Sequence, residues 1–165
     1  MKKIIIFLLV AVSLTACTNY GKKVTLDGTK GEVYYKGDGV TEADANKLCK
    51  YLKDDIKYFS ADKKLSVQLM KAKDEGYDVR FVVDEKKLKE TPGVEDAFVQ
   101  IGAKMSIDLY DNKPVNIVFT DEHFKDIKTL PFDKAAVNKL KEAMNPTVND
   151  ESVVPEDTKS DDKQE

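Results

Sequence analysis

The feature that most restricts the fold of this sequence is the succession of helical and strand-like apolar patterns between residues 42 and 120. Residues 42–59 repeat apolar side chains at helical spacing, and Thr41 precedes them as the expected N-cap. Residues 65–83 then alternate apolar and polar side chains on either side of Asp74-Glu75-Gly76. This pattern predicts one amphipathic helix followed by a β-hairpin.

A second helix is predicted beyond a lysine-rich loop, with Thr91 as its N-cap and Pro92 as its first residue. Gly102 lies on the apolar side of this helix, where a missing side chain would let the helix approach a sheet. Strands are predicted before the first helix and after the second, at residues 22–26, 31–36 and 115–120.

The predicted order β-β-α-β-β-α-β indicates an α+β fold. Without its first strand, this order is the split βαβ arrangement of ferredoxin-like folds. We therefore predict an antiparallel sheet with two helices on one face, plus an extra N-terminal strand. That strand would either join an edge of the sheet or require a different strand order, and the sequence leaves both open.

The rest of the chain divides by composition. Residues 22–132 form the predicted α+β domain, in which Phe124 to Phe132 dock as a turn and a short strand. Residues 133–144 have the spacing of an amphipathic helix. Residues 145–165 are polar, acidic and free of aromatic residues, which predicts a disordered tail.

The first seventeen residues resemble the signal peptide and lipobox of bacterial lipoproteins. Two lysines precede a nine-residue apolar run, which is too short for a transmembrane helix of about 20 residues. Leu14-Thr15-Ala16-Cys17 follows at the position of the lipobox. The resemblance implies that the Cys17 thiol is joined to a diacylglycerol and that residues 1–16 are removed. Residues 17–21 would then be a lipidated cysteine with a short tether, anchored stably because two acyl chains insert together.

This resemblance also implies a location in the cell envelope. Thr18 follows the cysteine, whereas an aspartate would favour retention in the inner membrane of enterobacteria. We expect the outer membrane, on its periplasmic side or at the surface, in a Gram-negative source. In a Gram-positive source, we expect the extracellular face of the plasma membrane.

Composition argues against several classes of site. Residues 17–144 contain equal numbers of acidic and basic residues, so charge gives no reason to expect nucleic acid as a partner. The chain has one histidine and two cysteines, too few for a zinc site of thiols and imidazoles. Cys49 falls on the apolar side of the first helix, where it is predicted to fill the core. We assign no catalytic residue, no cofactor and no metal ligand, because Asp121-Glu122-His123 has no known metal-binding spacing.

The sheet surface opposite the predicted helices is the candidate binding face. It includes Arg80, the only arginine of the chain, whose planar guanidinium suits bidentate recognition. Three explanations of this mixed surface stay open: residues 133–144 cover it, a partner or second copy covers it, or it is solvated. The predicted residues of this face are Tyr34, Gln68, Met70, Arg80, Val82, Asn116 and Val118.

These features favour a lipid-anchored cell-envelope protein that works as a non-catalytic binding or adaptor module. Its partners would be the membrane, through the N-terminal lipid, and an envelope protein. Two alternatives are a hydrolase-like envelope enzyme whose site cannot be read from the sequence, and a lipoprotein that binds a small ligand. An enzyme should show a pocket of coupled polar groups, and a ligand-binding protein should show an enclosed apolar cavity.

Overall fold

Six strands form a single mixed sheet whose spatial order follows the order of the chain. The computed structural model describes residues 20–145, so the predictions for Cys17, for the signal peptide and for residues 146–165 lie outside the described residues. The strands are β1 (Lys22–Thr25), β2 (Gly31–Lys36), β3 (Leu65–Lys71), β4 (Tyr77–Val82), β5 (Val115–Thr120) and β6 (Asp126–Leu130).

The α+β class is confirmed, but the prediction of an antiparallel sheet is wrong. Strands β2 and β3 run parallel, as do β4 and β5, while the other three neighbouring pairs are antiparallel. Each parallel pair is joined by a helical crossover, which returns the chain to the same end of the sheet. The split βαβ arrangement is not confirmed, because β3 lies directly beside β2 with no strand between them.

The helices of the described chain are α1 (Glu42–Asp54), α2 (Glu85–Glu90), α3 (Val94–Leu109) and α4 (Lys134–Met144). Thr41 caps α1 in a reciprocal capping box with Asp44, as its sequence position predicts. The predicted start of α3 is two residues early, because its N-cap is Gly93 and Thr91 instead ends α2. Helix α2 replaces the predicted loop and is capped by Asp84.

The core lies between one face of the sheet and helices α1 and α3. Alternate strand residues such as Val33, Val67 and Val79 are fully buried there against Leu48 and Met105 of the helices. The Tyr51 hydroxyl of α1 donates a hydrogen bond of 2.7 Å to the Asp108 carboxylate of α3 and so links the two helices.

Gly102 has the predicted role of allowing close approach. A β-carbon built at this position would lie 3.0 Å from Cγ1 of Ile117 in β5, tighter than ordinary van der Waals contact. Helix α3 can therefore lie closer to the sheet at Gly102 than it could with a side chain there.

Helix α4 packs on α3, on the helix side of the sheet. Its buried residues Ala136 and Val137 contact a cluster that includes Ala103 and Val99 of α3. The explanation in which this segment covers the candidate binding face is therefore wrong. Among residues 20–145, none of the helices has the length and apolar composition needed to cross a bilayer.

Candidate binding face

The open face is the side of the sheet opposite α1 and α3, and two short segments fold onto it. One is Tyr20, two residues before β1, and the other is the β5–β6 loop, residues 121–125. Of the seven predicted residues, Gln68 and Val118 are only 3% and 2% exposed, and the Arg80 side chain is 12% exposed. Tyr34, Met70, Val82 and Asn116 remain partly exposed.

Tyr20 is held on the open face by its ring and by its backbone. Its ring meets Tyr34 and Phe124 edge-to-face, at centroid distances of 6.0 and 5.4 Å, and those two rings lie 5.5 Å apart. The side-chain amide of Gln68 donates to the Tyr20 carbonyl at 2.8 Å, and the Tyr20 hydroxyl lies 3.0 Å from Nδ1 of His123. We call these three rings, Tyr20, Tyr34 and Phe124, the aromatic cluster.

Gly21 directs the chain from the aromatic cluster into β1. Its φ of +90° lies in the region that favours glycine, and a β-carbon there would overlap the carbonyl oxygen of Tyr35. The close approach of Gly21 to β2 thus depends on the absence of a side chain.

Arg80 positions the β5–β6 loop. Its Nη2 donates to the Phe124 carbonyl at 2.6 Å and pairs with the carboxylate of Asp126. Asp121 shapes the same loop by accepting the backbone N–H groups of Lys125 and His123, at 2.8 and 2.9 Å. The backbone hydrogen bond from Lys125 is the main reason that the pKa of Asp121 is lowered.

Glu32 organises the β1–β3 end of the open face. Its carboxylate, only 9% exposed as a residue, accepts from Lys23 at 2.8 Å, from the Tyr34 hydroxyl at 3.1 Å and from Ser66 at 3.4 Å. The Lys64 Nζ lies 3.6 Å from Oε2 of Glu32, the oxygen that accepts from Tyr34 and Ser66. Burial would raise the pKa of Glu32, but the hydrogen bonds and nearby positive charge outweigh it, so the pKa is lowered.

Two hollows flank the β5–β6 loop. A cavity of about 260 Å³ lies on the open face beside Arg80, with Gln68, Met70, Phe124 and Asp126 in its wall. A larger groove of about 760 Å³ lies beyond Val82, between the loop and the start of α2. Its titratable lining is mostly acidic and consists of Asp84, Glu85, Asp121, Glu122, Asp126, Lys125 and His123.

The open face presents aromatic rings, hydrogen-bonding side chains and ion pairs. Within residues 20–145, no group of three or more His, Cys, Asp or Glu side chains could hold a metal ion. Cys49 is 1% exposed inside α1, and burial raises the pKa of its thiol, which disfavours the reactive thiolate.

The structure brings Tyr34, Gln68 and Arg80 together around the segments that fold onto the face. Asn116 lies at the start of β5, away from the β5–β6 loop, where it donates a hydrogen bond to Asp78 and accepts one from the backbone N–H of Phe132. Met70 and Val82 lie at opposite ends of the strand pair β3–β4. Sequence reasoning missed Tyr20 and the loop-positioning partner Asp126, because neither belongs to a periodic apolar pattern.

Comparison with known proteins identifies a family for this domain. A family model named AF_1994_N, described as a family N-terminal domain, matches residues 23–131, which is more than half of the chain. The matched stretch contains α1, α2, α3 and β2 to β6 in full. No curated protein and no solved structure matches the chain. The chain therefore belongs to the AF_1994_N family.

Proposed function

We propose that this protein is a lipid-anchored, non-catalytic binding module of the cell envelope, with the open face as its binding surface. The observation that carries the proposal is that, within residues 20–145, the helices lie on the other side of the sheet. What folds onto the open face is Tyr20 and the β5–β6 loop. Tyr34, Met70, Val82 and Asn116 stay partly exposed beside them.

The open face is also held in a fixed shape before any partner arrives. The aromatic cluster and the hydrogen bonds of Gln68 and Arg80 fix the side chains around it. A preorganised surface loses less conformational entropy on binding than a mobile one. The partly exposed Tyr34 and Met70 are also of residue types that protein interfaces favour.

A photo-crosslinking side chain at position 70 tests the binding surface. The lipidated protein, with the crosslinker at Met70 on the open face, is irradiated in its native envelope and captured proteins are identified by mass spectrometry. The matched control carries the crosslinker at Gln100, which is exposed on α3 on the other side of the sheet. We expect a reproducible partner from position 70 and not from position 100. Equal capture from both positions, or none above background, would contradict the proposal.

The substitution Cys17→Ser tests the anchor. We propose that the lipobox cysteine carries the diacylglycerol, so the variant should leave the membrane fraction or stay unprocessed. Intact mass of the mature wild-type chain provides the second readout, since lipidation adds the mass of the diacylglyceryl group. Normal membrane fractionation of Cys17→Ser would refute the lipobox interpretation.

A further inference from the structure

We propose that the open face is turned toward the membrane surface, and that its partner is a membrane-bound protein of the same envelope. This inference rests on the proposed lipid anchor at Cys17. It adds the orientation of the domain and the class of the partner.

The length of the chain between the anchor and the open face carries the orientation. Tyr20 follows Cys17 by three residues, and an extended chain spans at most about 3.3–3.6 Å per residue. The Cα of Tyr20 therefore lies within about 11 Å of the lipidated cysteine, whatever path the chain takes. A diacylated cysteine lies at the level of the lipid headgroups, so Tyr20 lies close to them as well.

Tyr20 is fixed to the open face, so its closeness to the bilayer determines how the whole domain is oriented. Two rings, one side-chain amide and one imidazole contact it, all from strands β2 and β3 or from the β5–β6 loop. Gly21 then leads directly into β1. With so short a connection, the open face lies nearer the bilayer than the surfaces of α3 and α4 on the opposite side of the sheet.

The composition of the open face favours a protein over lipid as its occupant. The open face contains two ion pairs, in which the largely buried Arg80 and Glu32 pair with the more exposed Asp126 and Lys23. Such charges are poorly suited to entering hydrocarbon. The adjoining groove is bordered by five carboxylates and one lysine. Anionic headgroups would be repelled there, whereas a basic segment of a membrane protein would be attracted.

Fluorescence quenching by nitroxide-labelled headgroups tests the orientation. A fluorophore is attached through Met70→Cys or, as the matched control, through Gln100→Cys in the lipidated protein reconstituted in vesicles. Cys49 is buried and does not compete for the label. We expect stronger quenching from position 70 than from position 100. Equal quenching, or stronger quenching at position 100, would overturn the orientation.

A spacer variant shows whether the short connection is the cause. Twenty Gly/Ser residues inserted after Thr18 would add an average reach of about 25 Å. We expect this insertion to preserve lipidation but to abolish the difference in quenching between the two positions. A difference that persists unchanged would mean that the chain length does not set the orientation.

Crosslinking from position 70 tests the class of partner. We expect the captured protein to stay with the membranes after an alkaline carbonate wash, and its capture to fall in the spacer variant. Capture of a soluble protein with equal yield from the Cys17→Ser form, or crosslinks to lipid alone, would overturn the inference. Intact mass separates this failure from failure of the anchor: a mature chain without the diacylglyceryl group would refute both.

Discussion

Gly21→Ala should release the N-terminal segment from the open face, and Gly37→Ala provides its control. Both glycines have nearly the same φ, +90° and +92°. A β-carbon at Gly37 would meet nothing within 4 Å, whereas one at Gly21 would overlap the Tyr35 carbonyl. In the control, Gly37→Ala, the free energy of unfolding should fall by about 1–2 kcal/mol, the cost of alanine in a left-handed conformation, with no added steric overlap.

The larger effect at Gly21 follows from the contacts that the segment would lose. Tyr20 makes two edge-to-face ring contacts, each worth about 0.5–1.5 kcal/mol, and accepts one hydrogen bond from Gln68, worth about 1 kcal/mol. Release of the segment should thus lower the free energy of unfolding by about 2–4 kcal/mol. This exceeds the expected loss for Gly37→Ala.

Urea unfolding followed by circular dichroism measures both variants. A local readout accompanies it, because the NMR resonances of His123 and Phe124 should shift in Gly21→Ala and stay in place in Gly37→Ala. Equal destabilisation by the two substitutions, with unchanged resonances at the β5–β6 loop, would refute the reasoning that Gly21 is needed for close approach.

Three further substitutions test separate parts of the fold. Glu32→Gln should destabilise the protein at pH 7, because the lowered pKa of Glu32 in the folded state means that its ionised form stabilises the fold. This stabilisation is fully present above pH 4.5, the ordinary pKa of the group, and is lost as the pH falls through the lower pKa that Glu32 has in the folded protein. In urea unfolding, the difference in free energy of unfolding between wild type and Glu32→Gln should therefore shrink below pH 4.5. Tyr110→Phe should be neutral or stabilise by up to about 1 kcal/mol, since the Tyr110 hydroxyl is buried without a hydrogen-bond partner among the described residues; a loss above that amount in thermal unfolding would contradict this. Thr41→Ala should lower the free energy of unfolding by about 1 kcal/mol through loss of the α1 cap, and an unchanged urea midpoint would show that the cap contributes nothing.

Features that depend on neighbours along the chain could be predicted from the sequence. Helix α1 is predicted from a cap at Thr41 and from apolar residues at helical spacing, and the structure confirms the cap and the spacing as far as Leu52. The helix ends at Asp54, five residues before the predicted stripe does, and Ile56 and Phe59 pack on the core from the segment that follows it. Strand faces follow from alternation, so the inward residues of β4 and β5 were also predicted correctly. Helix α2 was missed because its six residues include no buried side chain and therefore show no apolar stripe.

Features that depend on distant pairing could not be predicted in this way. The same order of elements is compatible with two topologies: one with another strand between β2 and β3, and one with β2 and β3 side by side. Only the hydrogen bonding between strands, which is not visible in the sequence, decides between them, and the structure has the second. Alternation alone places the seven predicted residues on the same side of the sheet. Alternation cannot show that Tyr20 and Phe124 would fold over three of them, since an isolated aromatic residue in a loop has no period to detect.

Arg80 illustrates how this changes the interpretation of the candidate site. The sequence predicts that its planar guanidinium is available to a partner. In the structure, Nη2 instead donates to the Phe124 carbonyl and to the Asp126 carboxylate of the same chain. Arg80 thus holds the loop that carries Phe124, and Phe124 supports the ring of Tyr20. Because Tyr20 is three residues from Cys17 in the sequence, these contacts connect the shape of the open face to the part of the chain next to the proposed anchor.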